Sequence, residues 1–297
     1  MLTPPVRIDA HHHFWQLRRG DYRWLRPDVP ELAPIHRDHG PADLRPLLER
    51  HGVVQTVLVQ AADSEAETDF MLGLARENDF VGGVVGWVDM TRPASVDTLA
   101  RWADDPHFKG VRPMLQDLPE HDWIATRPNA DVVRALHRHG LRFEALVQPW
   151  HLEALLAFVR TWPDLPVMID HAAKPQLALG WQSDWATAWR RGIDALAQCP
   201  NVCCKFSGLL TEAGGATRAG GDDGGHALRP VRDALLERFG AGRIAWGSDW
   251  PVLNLAADYT AWIEVSDALF ADLSDAERAG IRHDNARRFY ALAGHDA

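Results

Sequence analysis

Cysteine is scarce and poorly spaced for covalent work. The 297 residues contain three, Cys199, Cys203 and Cys204. They are clustered, odd in number and without CxxC or zinc-ribbon spacing, which excludes a disulfide scaffold, fits a reducing cytoplasm and reads as small core residues. No apolar run approaches the roughly 18 residues that a membrane-spanning helix needs. Residues 1–8 hold two prolines and one arginine but no apolar core, so they do not read as a signal peptide. Runs of Lys or Arg are also missing, and the formal net charge is −10. That balance argues against nucleic acid or an anionic membrane surface as partner and leaves a small, uncharged or mildly anionic ligand. Tyrosine occurs 3 times against 13 tryptophans. Some indoles must be core, yet several fall beside strand ends, where a ring can stack on the C–H face of a ligand and offer one N–H.

Short β-branched or apolar runs recur at residues 7–13, 53–60, 81–88, 108–114, 141–148, 166–171, 202–207 and 243–247. Between them lie segments with apolar residues at helical spacing, including 43–50, 65–78, 130–139, 152–162 and 231–239. Three of these stop in the same way. In Arg50-His51-Gly52, Arg138-His139-Gly140 and Arg238-Phe239-Gly240 a C-terminal glycine follows residues suited to the last helical turn, and each stop leads straight into a strand. Alternation of strand and helix over the whole chain, with no internal linker, predicts one domain over 1–297, a closed parallel (β/α)8 barrel. A doubly wound open sheet is the alternative. Long loops follow strands 1 and 7, on the face where such barrels carry their chemistry. Residues 14–41, with Trp15, Tyr22 and Trp24, read as a packed cap; residues 208–225, with two glycine-rich stretches, read as a lid or a slack surface loop.

The chemistry-bearing residues collect at predicted strand tips. In Asp9-Ala10-His11-His12-His13, strand alternation sends Asp9, His11 and His13 to one face and Ala10 and His12 to the other. Two imidazoles at i and i+2 can share a metal ion or one polarised oxygen. The three-histidine run can also arise by chance or as a tag, but it continues a strand pattern. The sixth strand ends at His171, and the eighth runs through Gly247 to Asp249. Each alone can be structural, since a tip aspartate often caps the next helix. Together they supply bases and electrophilic groups. Gln60, Gln148, Lys174, Ser207 and Trp250 also lie at or near strand ends, where they can touch a substrate or satisfy local backbone. Glu67, on the second helix, reads as a solvated face residue.

The ordered set Asp9-Ala10-His11-His12-His13-Phe14-Trp15, Lys109-Gly110-Val111-Arg112, Asp170-His171 and Trp246-Gly247-Ser248-Asp249-Trp250-Pro251 resembles the amidohydrolase superfamily. More narrowly it is similar to the sugar-lactonase branch, which includes fuconolactone and rhamnonolactone hydrolases. The resemblance runs from Asp9 to about Pro251. It implies a (β/α)8 barrel in which Asp249 activates water. A lactone carbonyl then needs donors where its oxyanion develops, which His11, His13 and Arg112 can supply, with Arg112 the apter, while His171 can hold the water or the carboxylate. Trp15, Trp24 and Trp250 can stack on a sugar lactone and His11, His13, Gln148, Lys174 and Ser207 can offer it polar contacts, with L-fuconolactone the first guess.

Two-metal relatives need a bridging lysine on strand 4 and a histidine on strand 5. Here strand 5 ends in Gln148, and Lys109 and Arg112 differ by an odd step, so they face opposite ways. A single Zn²⁺ held by His11, His13 and Asp249 remains open, but no cofactor is expected to be required. The alternatives are a zinc-dependent decarboxylase of an unsaturated or aromatic acid, reusing the same histidines and aspartate, and a non-catalytic sugar-binding barrel.

Overall fold

The computed structural model describes residues 6–214 and 223–294. Eight parallel strands pair in chain order: β1 (Arg7–His12), β2 (Val53–Val59), β3 (Val81–Gly86), β4 (Phe108–Val111), β5 (Arg142–Ala145), β6 (Val167–Ile169), β7 (Val202–Phe206) and β8 (Ile244–Trp246). The ring is closed just beyond the strand ends, where Asp249 N donates to His11 O at 2.8 Å and His13 N to Trp250 O at 2.7 Å. The chain is therefore a barrel, and the open-sheet alternative is excluded. Helices alternate with the strands, among them α1 (Pro41–His51), α2 (Glu65–Glu77) and α3 (Ser95–Ala103). The three glycine stops have positive φ, 66° at Gly52, 63° at Gly140 and 69° at Gly240; Gly52 is the left-handed cap expected, whereas Gly240, with ψ 159°, is not. No helix among the described residues is long and apolar enough to cross a membrane.

Most strands are shorter than the sequence pattern suggests. Their last apolar-patterned residues, such as Arg112, Leu146 and His171, leave the ladder and turn over the mouth of the barrel. Residues 14–41 form the packed cap: Trp15, Tyr22, Leu25 and Ile35 cluster with Ala61 and Ala62 at the tip of β2. In the second long loop, a short helix at Leu209–Glu212 is described and the chain resumes as a helix at Asp223–Phe239. Residues 215–222, including Gly220, Gly221 and Asp222, lie outside the described residues.

Alternate strand residues separate into two layers. Leu58, Val84, Phe143, Ile169, Cys204, Phe206 and Trp246 join the core beneath the helices. Ile8, Ala10, Val57, Val59, Val85, Met168 and Ala245 form a second cluster inside the barrel, together with Tyr290 and Leu292 from the C-terminal segment. One strand breaks the rule. The pairing of β1 with β2 shifts register between Asp9 and His12, so Ala10 and its neighbour His11 both face the barrel interior while Asp9 turns away, accepting from Tyr259 Oη at 2.9 Å and Ser248 N at 2.8 Å. The expectation that Asp9 shares a face with His11 and His13 is corrected by this irregularity, because alternation holds only across an unbroken ladder.

Above the apolar floor sits a layer of buried charge. Lys205 and Glu144 have no exposed surface, and Lys205 Nζ lies 2.6 Å from Glu144 Oε2 and 3.1 Å from Asp170 Oδ1. Tyr290 donates its hydroxyl to Glu144 Oε1. Burial alone would raise the Asp170 pKa, but Lys205, then His11 and Arg112, outweigh it and hold the carboxyl well below its usual range. Glu144 goes the other way: burial pushes it up against the opposing pull of Lys205. Removing one member of such a buried set leaves its partners unpaired in low dielectric. Lys205→Met is therefore expected to lower the free energy of unfolding by roughly 3 to 5 kcal/mol, read as a lower urea midpoint, and an unchanged midpoint would show that the layer contributes nothing net.

Candidate active site

The strand tips converge on a cavity of about 170 Å³ lined by His13, Trp24, Ala61, Arg112, Met114, Gln116, Leu146, His171, Lys174, Asp249 and Val252. At about 30 Å³ per liquid water, that is room for five or six waters or one small ring. A larger groove, about 560 Å³, is lined by Trp150 and Arg191 and by none of His11, His13, His171 or Asp249. His11 lies directly under the cavity floor, fully buried.

Hydrogen-bond partners fix the tautomers of the β1 histidines. His13 Nδ1 is 2.8 Å from Val59 O, a carbonyl that can only accept, so Nδ1 carries a proton and Nε2 is the nitrogen turned toward His11 and Asp249. His11 Nδ1 is 2.9 Å from the Lys205 ammonium, which can only donate, so His11 carries its proton on Nε2. The two Nε2 atoms are 3.3 Å apart, completing a chain from Lys205 through both rings to the β2 backbone. Burial, followed by the Lys205 charge, lowers the His11 pKa well below the ordinary histidine value, which keeps the ring neutral.

Asp249 stands across from them, with Oδ1 3.3 Å from His13 Nε2, 3.7 Å from His11 Nε2 and 3.8 Å from His171 Nε2. Its φ is 61°, a left-handed value that aims the side chain into the cavity. Burial would raise its pKa, but His171 and His13 bring it below the usual carboxylate value. His171 Nδ1 is 2.9 Å from Ser207 Oγ, and burial lowers its pKa to about 4. Gly208, beside this pair, has φ 62°, and a Cβ there would come within 2.5 Å of His171 Nδ1 and 2.9 Å of Asp249 Oδ2. Only glycine allows this close approach. The chain after β6 is also left-handed, with φ of 51°, 51°, 60° and 47° through His171, Ala172, Ala173 and Lys174. This turn brings His171 and Lys174 to the same cavity.

Arg112, one residue beyond β4, is 3% exposed. Its Nη1 is 3.3 Å from Asp170 Oδ2 and its Nη2 donates to Gln60 O, while Gln60 Nε2 returns a bond to Arg112 O at 2.6 Å. Lys109 points elsewhere, with Nζ 3.3 Å from Ala291 O.

Of the residues singled out in the sequence, His13, Trp24, Arg112, His171, Lys174 and Asp249 line one cavity, with His11 beneath them. Four others do not line it. Trp15 is fully buried and donates Nε1 to Arg37 O at 2.7 Å; Trp250 packs edge-on against Phe14 and His39. Gln148 lies outside this lining, its backbone N donating to His151 Nδ1 at 3.0 Å, and Ser207 Oγ stands 2.9 Å from His171 Nδ1. Glu67 corrects its sequence reading outright: it has no exposed surface, and its carboxylate accepts from Ala61 N and Ala62 N. Lys205 and Glu144 were not singled out. Their signal was available, since a charged residue at an inward position of an apolar strand needs a partner. Met114 and Gln116 carry no such signal.

The donor set also fits a metal. Ligand atoms around a tetrahedral zinc with bonds of about 2.0–2.1 Å stand roughly 3.3 Å apart, and the separations among His11, His13 and Asp249 are 3.3, 3.7 and 3.3 Å. His11, His171 and Asp249 likewise bring one ligand atom each within 4.8 Å of one another. One proton stands in the way, because the Lys205 ammonium on Nδ1 places it on the His11 Nε2 that a metal would use.

The amidohydrolase family profile matches residues 8–292. An L-fucono-1,5-lactonase of Burkholderia ambifaria is 44% identical over 293 residues, covering 96% of this chain and 96% of that protein. An L-fucono-1,5-lactonase of Burkholderia multivorans is 36% identical over 292 residues, covering 97% and 96%. The crystal structure of a Burkholderia multivorans amidohydrolase with bound zinc superposes with a TM-score of 0.88 at 32% identity, over 97% of this chain and 100% of that one. With eight parallel strands, histidines on the first and sixth and an aspartate after the eighth, the chain belongs to the amidohydrolase family.

Proposed function

We propose that this chain hydrolyses a sugar lactone, with L-fucono-1,5-lactone the first substrate to test. Two relatives that it matches over nearly their whole length carry that activity in their names. The observation that carries the reading is the pairing, in a cavity sized for one ring, of the Asp249 carboxylate with the Arg112 guanidinium across a floor of neutral histidine.

The chemistry follows from what each group can do. Asp249 accepts a proton from a water as its oxygen bonds to the lactone carbonyl carbon. The carbonyl oxygen becomes an oxyanion, and the Arg112 guanidinium supplies the donors facing it. As the ring C–O bond breaks, the Asp249 acid form returns its proton to the leaving ring oxygen, giving the open-chain acid. His171, held by Ser207, keeps the water and the carboxylate aligned. Trp24 offers a ring face, and Lys174 and Gln116 offer polar contacts for hydroxyls. A zinc ion, when bound, would sit on His11, His13 and Asp249 and polarise the carbonyl. The Lys205 hydrogen bond to His11 supports the reading that the ion is not required. A decarboxylase finds no specific support in this geometry.

A pH-indicator assay with L-fucono-1,5-lactone is expected to show proton release, and Asp249→Asn to keep the wild-type circular dichroism while kcat falls by about 10²- to 10⁴-fold. Near-normal turnover by that folded variant would sink the mechanism, and CO2 release from an aromatic acid would sink the substrate class. Arg112→Met is expected to lower kcat strongly, by roughly 3 to 4 kcal/mol of transition-state binding, whereas Lys109→Met leaves it nearly unchanged. Equal, small losses would remove Arg112 from the oxyanion role. Chelation followed by metal analysis is expected to leave activity in metal-free protein; loss with the metal and recovery with Zn²⁺ would reassign His11, His13 and Asp249 as essential ligands.

A further inference from the structure

The tip of β2 contributes no charged side chain to the cavity, yet its main chain touches three of the site residues. Val59 O accepts from His13 Nδ1 at 2.8 Å, Gln60 O accepts from Arg112 Nη2, and Ala61 O accepts from Trp24 Nε1 at 2.7 Å. Three successive carbonyls thus hold an imidazole, the guanidinium and the indole over the ring-sized cavity.

A carbonyl orients its donor only as well as it is itself held. The ladder to β3 extends to Gln60, whose N donates to Val85 O at 2.9 Å. Beyond it, the amides of Ala61 and Ala62 go to a side chain. Ala61 N is 3.2 Å from both Glu67 oxygens, and Ala62 N is 2.5 Å from Glu67 Oε2. Glu67 lies in the first turn of α2, where Ser64 Oγ accepts from its backbone N at 3.1 Å and so fixes where the side chain starts. The carboxyl is fully buried with no ion pair among the described residues, and burial pushes its pKa up to about 8. Such a group is costly to keep unless its acceptors are needed. An exposed helix position would need none of this.

We infer that Glu67 is a positioning residue for the lactone site: it pins the Ala61–Ala62 turn, and through the β2 carbonyls it sets where Trp24, Arg112 and His13 stand. The inference rests on the proposed lactone hydrolysis. Glu67 touches neither the cavity nor the reacting atoms, so its loss acts through displaced donors, where misplacement by about 1 Å can cost on the order of 10²-fold.

The test compares three variants with wild type on L-fucono-1,5-lactone, well below their melting temperatures. Glu67→Asp keeps the carboxyl group but is one methylene too short to reach both amides, and kcat/KM is expected to fall about 10- to 100-fold, with part of the loss in kcat. Glu67→Gln keeps an acceptor oxygen at the same reach and is expected to stay within about threefold of wild type. Combined with Trp24→Phe, which removes the donor to Ala61 O, Glu67→Asp is expected to lose less than the product of the single losses, because both act through one turn. A folded Glu67→Asp with wild-type constants, a Glu67→Gln as impaired as Glu67→Asp, or strictly multiplicative losses would each overturn the inference. If Glu67→Asp does not fold, Ser64→Ala, which removes the acceptor of the Glu67 backbone N and so loosens the same side chain, takes its place in the cycle with Trp24→Phe, and wild-type constants or strictly multiplicative losses overturn the inference in the same way. Wild-type turnover in the same assay tests the functional reading separately: its absence refutes the lactonase, whereas turnover that Glu67 does not influence refutes only the positioning role.

Discussion

One ammonium group organises the centre of this barrel. Lys205 is the cation that two buried carboxylates share, and the donor that tells His11 on which nitrogen to carry its proton. Without it, Glu144 and Asp170 would face each other across a low-dielectric interior, and His11 would be free to take either tautomer. With it, each ring above has a defined donor and acceptor edge, ending at the Val59 carbonyl. The electrostatics are layered: apolar floor, shared charges, the imidazoles of His11 and His13, then Asp249 and Arg112 at the cavity. Charge that must respond to substrate sits at the top, and charge that must not move sits beneath it.

The site also concentrates backbone strain. Asp249 and the four residues His171 to Lys174 all occupy the left-handed region without being glycine, a conformation that costs roughly 1–2 kcal/mol per residue. The surroundings over-determine it: Ala172 and Ala173 are fully buried, Trp189 Nε1 donates to Ala172 O at 2.7 Å, and Lys174 N to His171 O at 2.8 Å. A right-handed turn there would not bring His171 and Lys174 to one cavity. Strain held in this way belongs to preorganisation, since the groups need not rearrange when substrate arrives.

Much of this was legible in the residues themselves. Strand-to-helix alternation and the glycine stops gave the barrel, and the placement of His11, His13, Arg112, His171 and Asp249 at strand tips anticipated one cavity. What was hidden had physical causes. The Asp9 side chain was assigned to the wrong face because a register shift leaves no mark in a hydrophobic pattern. Glu67 sits at a helical position that a solvent-facing glutamate would equally occupy, and only the tertiary packing of the cap over β2 buries it. Trp15, two residues past His13, is sealed under the cap with its Nε1 on Arg37 O, and Trp250, following the left-handed Asp249, turns edge-on to Phe14 and His39, so their distance from the cavity is set by tertiary packing that no strand pattern shows. Lys205 was readable in principle, as the one charged residue in Val-Cys-Cys-Lys-Phe, but its partners come from other strands.

The seam between the first and last strands has a consequence for how such an enzyme can change. The two hydrogen bonds that lock the ring come from the main chain at His11, His13, Asp249 and Trp250, while the side chains of three of those same residues are among the groups proposed to carry the reaction. Architecture and reactivity are thus written on different atoms of the same positions. Side chains there can be exchanged over evolutionary time, and the reaction altered, while every amide and carbonyl of the lock stays where it was.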